Sequence, residues 1–305
     1  MTEAAASSEE MLRPPVGLGE VPPFEAGWKL EGGLAPFLSY VDDSAAVNWS
    51  DELEDLHEES SRTHFIDVWT RTAMIERLGA VRPGGAIADL GCSTGYLLED
   101  LRAAYPQARL LGVDLVAPGL QKAHGLVPEV RLLRADVCAL PLSDGSVDAV
   151  VSANLLEHVP DDLQALREAH RVLRPGGLAV VVIPAGPRTY DYYDRFLGHE
   201  RRYGKGEMAG KARAAGFEVL EDAYLGSLLY PVFWAVKKRN RLRYDHLRDA
   251  ALEQRVERDI ANTQDSAAGA AACRLERTLL RRGIRLPFGI RGLTVLRRPV
   301  EAEGR

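Results

Sequence analysis

Across residues 86–183 short, mainly apolar runs alternate with stretches of helical spacing, and few architectures accommodate that rhythm. The runs are Ala86–Leu90, Arg109–Val113, Val130–Ala135, Ser146–Ser152 and Leu178–Ile183. Tyr96–Ala104 and Asp161–Leu173 carry apolar residues three and four apart, as one face of a helix does. Strands alternating with helices at this spacing connect through right-handed crossovers into a mainly parallel sheet. Phe217–Asp222 and Gly292–Arg298 add two later strands, separated by a predominantly helical stretch. The expected fold is α/β, with a mainly parallel sheet and helices packed against it.

Ligands of open α/β sheets bind beyond the carboxyl ends of the strands. Three acids stand at such ends: Asp89, Asp114 and Asp136. Between the first two lies Gly91–Gly95, where missing side chains let backbone N–H groups approach a ligand. The helix beginning near Tyr96 presents its positive end to the same place. Asp114 follows by about twenty residues, the distance at which an acid accepts from ribose hydroxyls. The turn "GCSTG" lacks the second glycine of G-x-G-x-x-G, which disfavours a dinucleotide. No Lys-Ser or Lys-Thr closes it, which disfavours a phosphate-binding loop. A nucleoside whose other end is an amino acid fits the turn.

"IADLGCSTGYL", "LLGVDLV", "LRADVCALPLSDGSVDAVVSANLLEHV" and "VLRPGGLAVVVIP" occur in this order over residues 86–184. Together they resemble the class I S-adenosylmethionine-dependent methyltransferases, of the type that modifies small molecules. The resemblance implies an α/β, Rossmann-like fold: a seven-stranded, mostly parallel sheet with an antiparallel last strand, helices on both faces and a helical cap. The resemblance implies that Gly91, Cys92, Ser93 and Gly95 hold the methionine part of S-adenosylmethionine, and that Asp89 orients its ammonium group. It implies that Asp114, with Leu115 beside it, binds the ribose hydroxyls. Asp136 and the Val137 backbone would meet the adenine, and Asn154 and Leu155 would lie beneath the sulfonium. Related turns often carry Gly at position 93, and a small residue there is expected to suffice.

The acceptor side is less constrained. His199, in "DRFLGHERRYGK" after the fifth strand, is the leading candidate base, amid Tyr190, Tyr192, Tyr193 and Tyr203. Tyr203 and His64, which starts an N-terminal helix, are further catalytic candidates. His158 in "LLEHV" reads as support for the cofactor floor. "KKRNRLR" (237–243) reads as a solvated helix end, with a membrane-surface role as the alternative. No His cluster with ligand spacing is evident, so no metal is expected.

The expected divisions are a mobile tail (1–25), an N-terminal helical lid (26–80), the cofactor-binding core (81–222), a helical cap insertion (223–290), and the last strand with its tail (291–305). In the lid, Phe65, Val68, Trp69, Thr72, Ile75 and Leu78 share one helical face. A net charge of -6 argues against nucleic acid. Three scattered cysteines suggest a reducing cytoplasm, and no apolar run is long enough to span a bilayer. The expected activity is methylation of a small-molecule acceptor, O-methylation first, in specialised metabolism, with a homodimer admitted. C- or N-methylation, and a cofactor-binding cyclase or regulator without methyl transfer, are the alternatives.

Overall fold

The computed structural model describes residues 11–42, 62–247, 251, 252, 254–256, 258 and 266–300. Its elements run β1 (Trp28–Leu30), β2 (Gly33–Ala35), β3 (Leu38–Ser39), α1 (Phe65–Leu78), β4 (Ala86–Leu90), α2 (Tyr96–Ala104), β5 (Arg109–Asp114), α3 (Ala117–Leu126) and β6 (Arg131–Arg134). There follow β7 (Val147–Ala153), α4 (Asp162–Val172), β8 (Leu173–Pro184), α5 (Tyr192–Phe196), α6 (Glu207–Ala214), β9 (Glu218–Leu225), α7 (Tyr230–Tyr244), α8 (Ala267–Arg281) and β10 (Arg291–Arg297).

The central sheet has the order β3-β6-β5-β4-β7-β8-β10-β9. Every pair from β3 to β8 is parallel, and β10 is antiparallel to both neighbours. β4 to β6 build toward one edge and β7 onward toward the other, so the chain reverses between β4 and β7. That reversal opens a crevice at the carboxyl ends of these two strands. Successive strand residues alternate between two cores. Ala88, Val150 and Val181 meet α4 and α6, whereas Ile87, Val151 and Val182 belong with α1, α2 and α3.

The sheet has eight strands, one more than expected. The extra one, β3, pairs Leu38 and Ser39 with Leu133 and Arg134. Two residues leave no periodic signal, yet they cover an otherwise open edge. Trp28 supports that edge, buried with its indole N–H donating to the Leu132 carbonyl at 3.0 Å. The mobile tail expected over 1–25 does not extend that far: Met11 and Leu12 are buried, and Leu12 bridges Leu142.

The lid expected over 26–80 also differs. It begins with β1–β3, and its stretch 43–61 lies outside the described residues. α1 packs against β7, β8 and β10 as part of the helix layer. Its buried face is Ile66, Trp69, Thr70, Ala73, Met74 and Leu78, whereas Val68 is exposed. The expected cap loses Ala223–Leu225 to β9, and its helices part company. α8 joins α1 through Arg277 and Arg281 on Glu76, while α7 lies over the segment after β8.

Twice the sequence writes R-P-G-G, at Arg82–Gly85 and Arg174–Gly177, and both arginines reach one carboxylate. Asp148 Oδ1 accepts from Arg82 Nε at 2.6 Å and also pairs with Arg174. Its Oδ2 accepts from the Ala86 N–H at 2.8 Å, fixing the entry of β4. Both arginines are partly exposed and can return to water, but the Ala86 N–H cannot. Asp148→Ala should therefore lower the unfolding free energy by roughly 1–3 kcal/mol, the cost of a buried donor left unpaired. Urea denaturation measures this, and an unchanged midpoint would mean the carboxylate does not anchor β4.

Candidate functional site

At the end of β4 the backbone turns sharply and stays tight. Gly91 (φ 78°) and Gly95 (φ 86°) are left-handed, and a Cβ on either would come within 2.9 Å of the Leu155 or Ala123 Cβ. Ser93 also adopts a positive φ, 43°. The expectation that this position needs only a small residue is thus incomplete: it needs a left-handed backbone, which glycine adopts more readily than serine. Asn154, across the crevice after β7, is left-handed as well, at 52°. Such conformations in non-glycine residues persist where the surroundings enforce them, and they gather at ligand sites.

The three acids take different positions around this turn. Asp114 accepts from the Ser93 N–H (2.8 Å) through Oδ2 and from the Val116 N–H (2.9 Å) through Oδ1. It thus holds the glycine turn itself, at the strand end beside the crevice. Asp136 is exposed and accepts from the Cys138 N–H at 2.8 Å, with Val137 buried beside it. Leu115 offers its carbonyl to Arg134, and Cys92 is buried beneath the turn. Asp89 differs from all of these. It is buried, its Oδ2 has no hydrogen-bond partner among the described residues, and burial, then the nearby Asp114 charge, pushes its pKa up to about 8. A buried carboxylate in this state is balanced by an incoming cation or by a proton. The ammonium group of an amino-acid-bearing nucleoside is such a cation, so the residues present fit the cofactor implied by the sequence.

A second group forms where β7 and β8 end. The 3-10 turn Leu156–His158 carries Glu157 and His158, and the segment after β8 carries His199. One donor atom from each of the three lies within 4.8 Å of the others, contrary to the expectation of no ligand cluster. Two imidazoles some forty residues apart in sequence become neighbours, with ring centroids 4.8 Å apart. Glu157 is fully buried, and burial pushes its pKa up to about 8.

His199 is placed by a local device. α5 ends at Leu197, Gly198 turns left-handed (φ 67°), and the His199 N–H bonds back to the Asp194 carbonyl at 2.9 Å. With the Gly198 N–H on the Arg195 carbonyl (3.1 Å), this is a Schellman closure. It sets the His199 Nδ1 at 2.9 Å from Asp194 Oδ1. Burial acts to raise Asp194, but its bond to His199 and the charges of Arg202 and Lys237 prevail and hold it well below the usual carboxylate range. An ionised Asp194 can only accept, so Nδ1 carries the proton and Nε2 presents its lone pair. Burial lowers the His199 pKa despite Asp194, which keeps the ring neutral at pH 7. The spacing D-x-x-x-G-H in "DRFLGH" is the sequence signal that marks Asp194 as its partner.

Other candidates have structural duties. His64 caps α1, its Nδ1 accepting from the Ile66 N–H at 3.4 Å. Tyr203 is corrected as a catalytic candidate: it is buried, and its hydroxyl lies 2.9 Å from both the Leu156 carbonyl and Asp162 Oδ2. Burial and the Asp162 charge raise its pKa, and its two contacts hold the Leu156–His158 turn. Tyr192 is buried too, hydrogen-bonded to Asn240, and does not line an aromatic pocket. Lys237, read as part of a solvated helix end, is half-buried, pairs with the buried Asp191 at 2.6 Å and joins α7 to the start of α5. Tyr203→Phe should cost about 0.5–1.5 kcal/mol of stability, the net worth of one hydrogen bond. Calorimetric unfolding checks this; full stability in the variant would leave the hydroxyl without its anchoring role.

Comparison with known proteins agrees with this geometry. Residues 88–181 match the methyltransferase domain family. The chain is 38% identical over 125 residues to the demethylmenaquinone methyltransferase of Thermus thermophilus, covering 39% of this chain and 56% of that protein. It is 32% identical over 168 residues to the trans-aconitate 2-methyltransferase of Deinococcus radiodurans, covering 50% and 64%. Among solved structures, a chain of the Haloferax volcanii complex between the Trm112 methyltransferase activator and a methyltransferase superposes with a TM-score of 0.57. That match is 21% identical and covers 83% of this chain and 97% of that one. The chain spans less than two thirds of the length of these curated relatives. The left-handed turn, the acids at three strand ends and the strand order agree with the match of residues 88–181 to the methyltransferase domain family.

Proposed function

We propose that this protein transfers a methyl group from S-adenosylmethionine to an oxygen of a small-molecule acceptor. The orphaned Asp89 carboxylate beside the Gly91–Gly95 turn carries the cofactor half of this reading. When bound, the cofactor supplies an electrophilic methyl group. Asp89 pairs with the ammonium group, Asp114 with the ribose hydroxyls, and Asp136 and the Val137 backbone with the adenine. Asn154 and Leu155 form the floor at the methionine end.

The chain must also orient the acceptor and take up its proton. His199 serves there, because Asp194 fixes its ring and leaves Nε2 as acceptor. The choice of oxygen rests on that proton acceptor. The small-molecule class is supported by relatives named for trans-aconitate and demethylmenaquinone. None of the three cysteines forms a disulfide, which supports a reducing, cytoplasmic setting. Among the described residues no helix is long and apolar enough to cross a membrane.

The raised Asp89 pKa sets a pH signature. Below about pH 8 the unliganded carboxyl holds a proton, which must leave before the ammonium can pair with it. Cofactor affinity should therefore rise from pH 6 toward pH 8, until the ligand's own α-amino group, near about 7.7–8.0, begins to deprotonate. Calorimetry in buffers of different ionisation enthalpy should detect the proton released, and Asp89→Asn should abolish it. A pH-independent affinity in the wild type would remove Asp89 from the ammonium site.

Asp114→Ala should weaken cofactor binding by roughly 1.5–3 kcal/mol, the range for hydrogen bonds to a charged group. His199→Ala should lower turnover by about 10²-fold or more with cofactor affinity little changed, as loss of a proton acceptor does. Turnover near wild type would place the base elsewhere.

A further inference from the structure

Glu157 has no task in methyl transfer as derived above. It is 0% exposed, and among the described residues neither carboxylate oxygen has a hydrogen-bond partner. Arg202 and Arg291 favour its charge through space without donating to it. An ionised carboxylate so placed needs a cation at bonding distance. One ring nitrogen of His158, one of His199 and one Glu157 oxygen all lie within 4.8 Å of one another.

We propose that Glu157, His158 and His199 bind a divalent transition-metal ion at the acceptor side of the crevice, with at least one coordination position open. Two imidazoles and one carboxylate suit zinc, iron(II), manganese(II) or cobalt(II), whereas calcium and magnesium favour sites built of oxygen. His199 is already arranged as a ligand, because its Nδ1 is held by Asp194 and its Nε2 faces away with a lone pair. Metal-bound histidines are commonly oriented by a carboxylate in this way. Asp194 is itself fixed, accepting from Arg202 Nε at 2.6 Å. Metal–ligand bonds of about 2.0–2.2 Å bring ligand atoms to about 3–3.5 Å of each other. The cluster would thus contract by about 1–2 Å, a change within the reach of side-chain rotation.

The site has a direct bearing on the reaction. Leu155, two residues before Glu157, packs on the Gly91 turn, so the metal would adjoin the methionine end of the cofactor. Resting on the small-acceptor reading, the inference gives the open position to an acceptor oxygen, whose proton the metal would make easier to lose. In the metal-bound protein the His199 lone pair is committed to the ion, so the acceptor proton passes to solvent water as the oxygen takes the open position, and His199 acts as base only in the metal-free protein.

Cobalt(II) titration of the tag-free, chelator-treated full chain tests this without turnover. The wild type should bind one equivalent with a visible d–d band, and zinc should displace it. Glu157→Gln, which replaces an unpartnered carboxylate by a neutral isostere and should fold, should weaken binding at least about tenfold. His199→Ala should abolish the band. No stoichiometric binding by the wild type, or a band unchanged in both variants, overturns the proposal. Cofactor calorimetry on the same samples separates the two readings, because intact cofactor binding with no cobalt site discards the metal alone. Cobalt binding without cofactor binding discards the methyl-transfer reading instead.

Discussion

The parallel pairing of β4 with β7 at the middle of the sheet is the contact on which the remaining architecture rests. Ile87 to Asp89 run beside Ala149 to Val151, and the chain departs from these strands in opposite directions. At their carboxyl ends the Leu155 side chain packs on the Gly91 turn, and Asn154 lies beside it. Asp148 secures the opposite end of the pair by holding both R-P-G-G turns and the first N–H of β4. Rigid at one end and divergent at the other, the pair forms a cleft with little freedom to change width.

The cleft has two halves with different physical character. On the β4–β6 side each functional group is a backbone amide or an acid at a strand end, and the positions follow from the strands themselves. On the β7–β8 side the groups are side chains from separate loops, held by capping, ion pairs and buried hydroxyls. Tyr203 pins the Leu156–His158 turn, the Schellman closure at Gly198 sets His199, and Lys237 ties α7 to the same segment. Burial acts on the two halves alike: Asp89 and Glu157 are both buried carboxyls with oxygens left unpaired. Each marks a place where a positive charge would be received.

How much could be read in advance tracks the range of the interaction involved. The strands, α2, α4 and the cofactor turn were legible because apolar periodicity and glycine spacing act over ten residues or fewer. β3 was not, because two residues carry no period and need β6 as a template. The inward face of α1 was misjudged at Val68, since the packing of α8 and the sheet against it decides which arc is covered. The tyrosines after β8 read as a pocket lining, but Tyr192 and Tyr203 are buried in the fold. Lys237 read as solvated, yet buried acids on α5 draw it inward.

The amino-acid sequence by itself determined the parallel core, the left-handed turn after β4 and the acids around it. These depend on steric limits and on periodicities that every chain obeys. Tertiary structure alone decided that Glu157, His158 and His199 share one small volume and that Tyr203 is buried with its hydroxyl on Leu156 and Asp162. It also decided that Asp89 lies buried with an unpaired oxygen. Those outcomes turn on desolvation and on distances between residues far apart in the chain, and neither quantity exists until the sheet has closed.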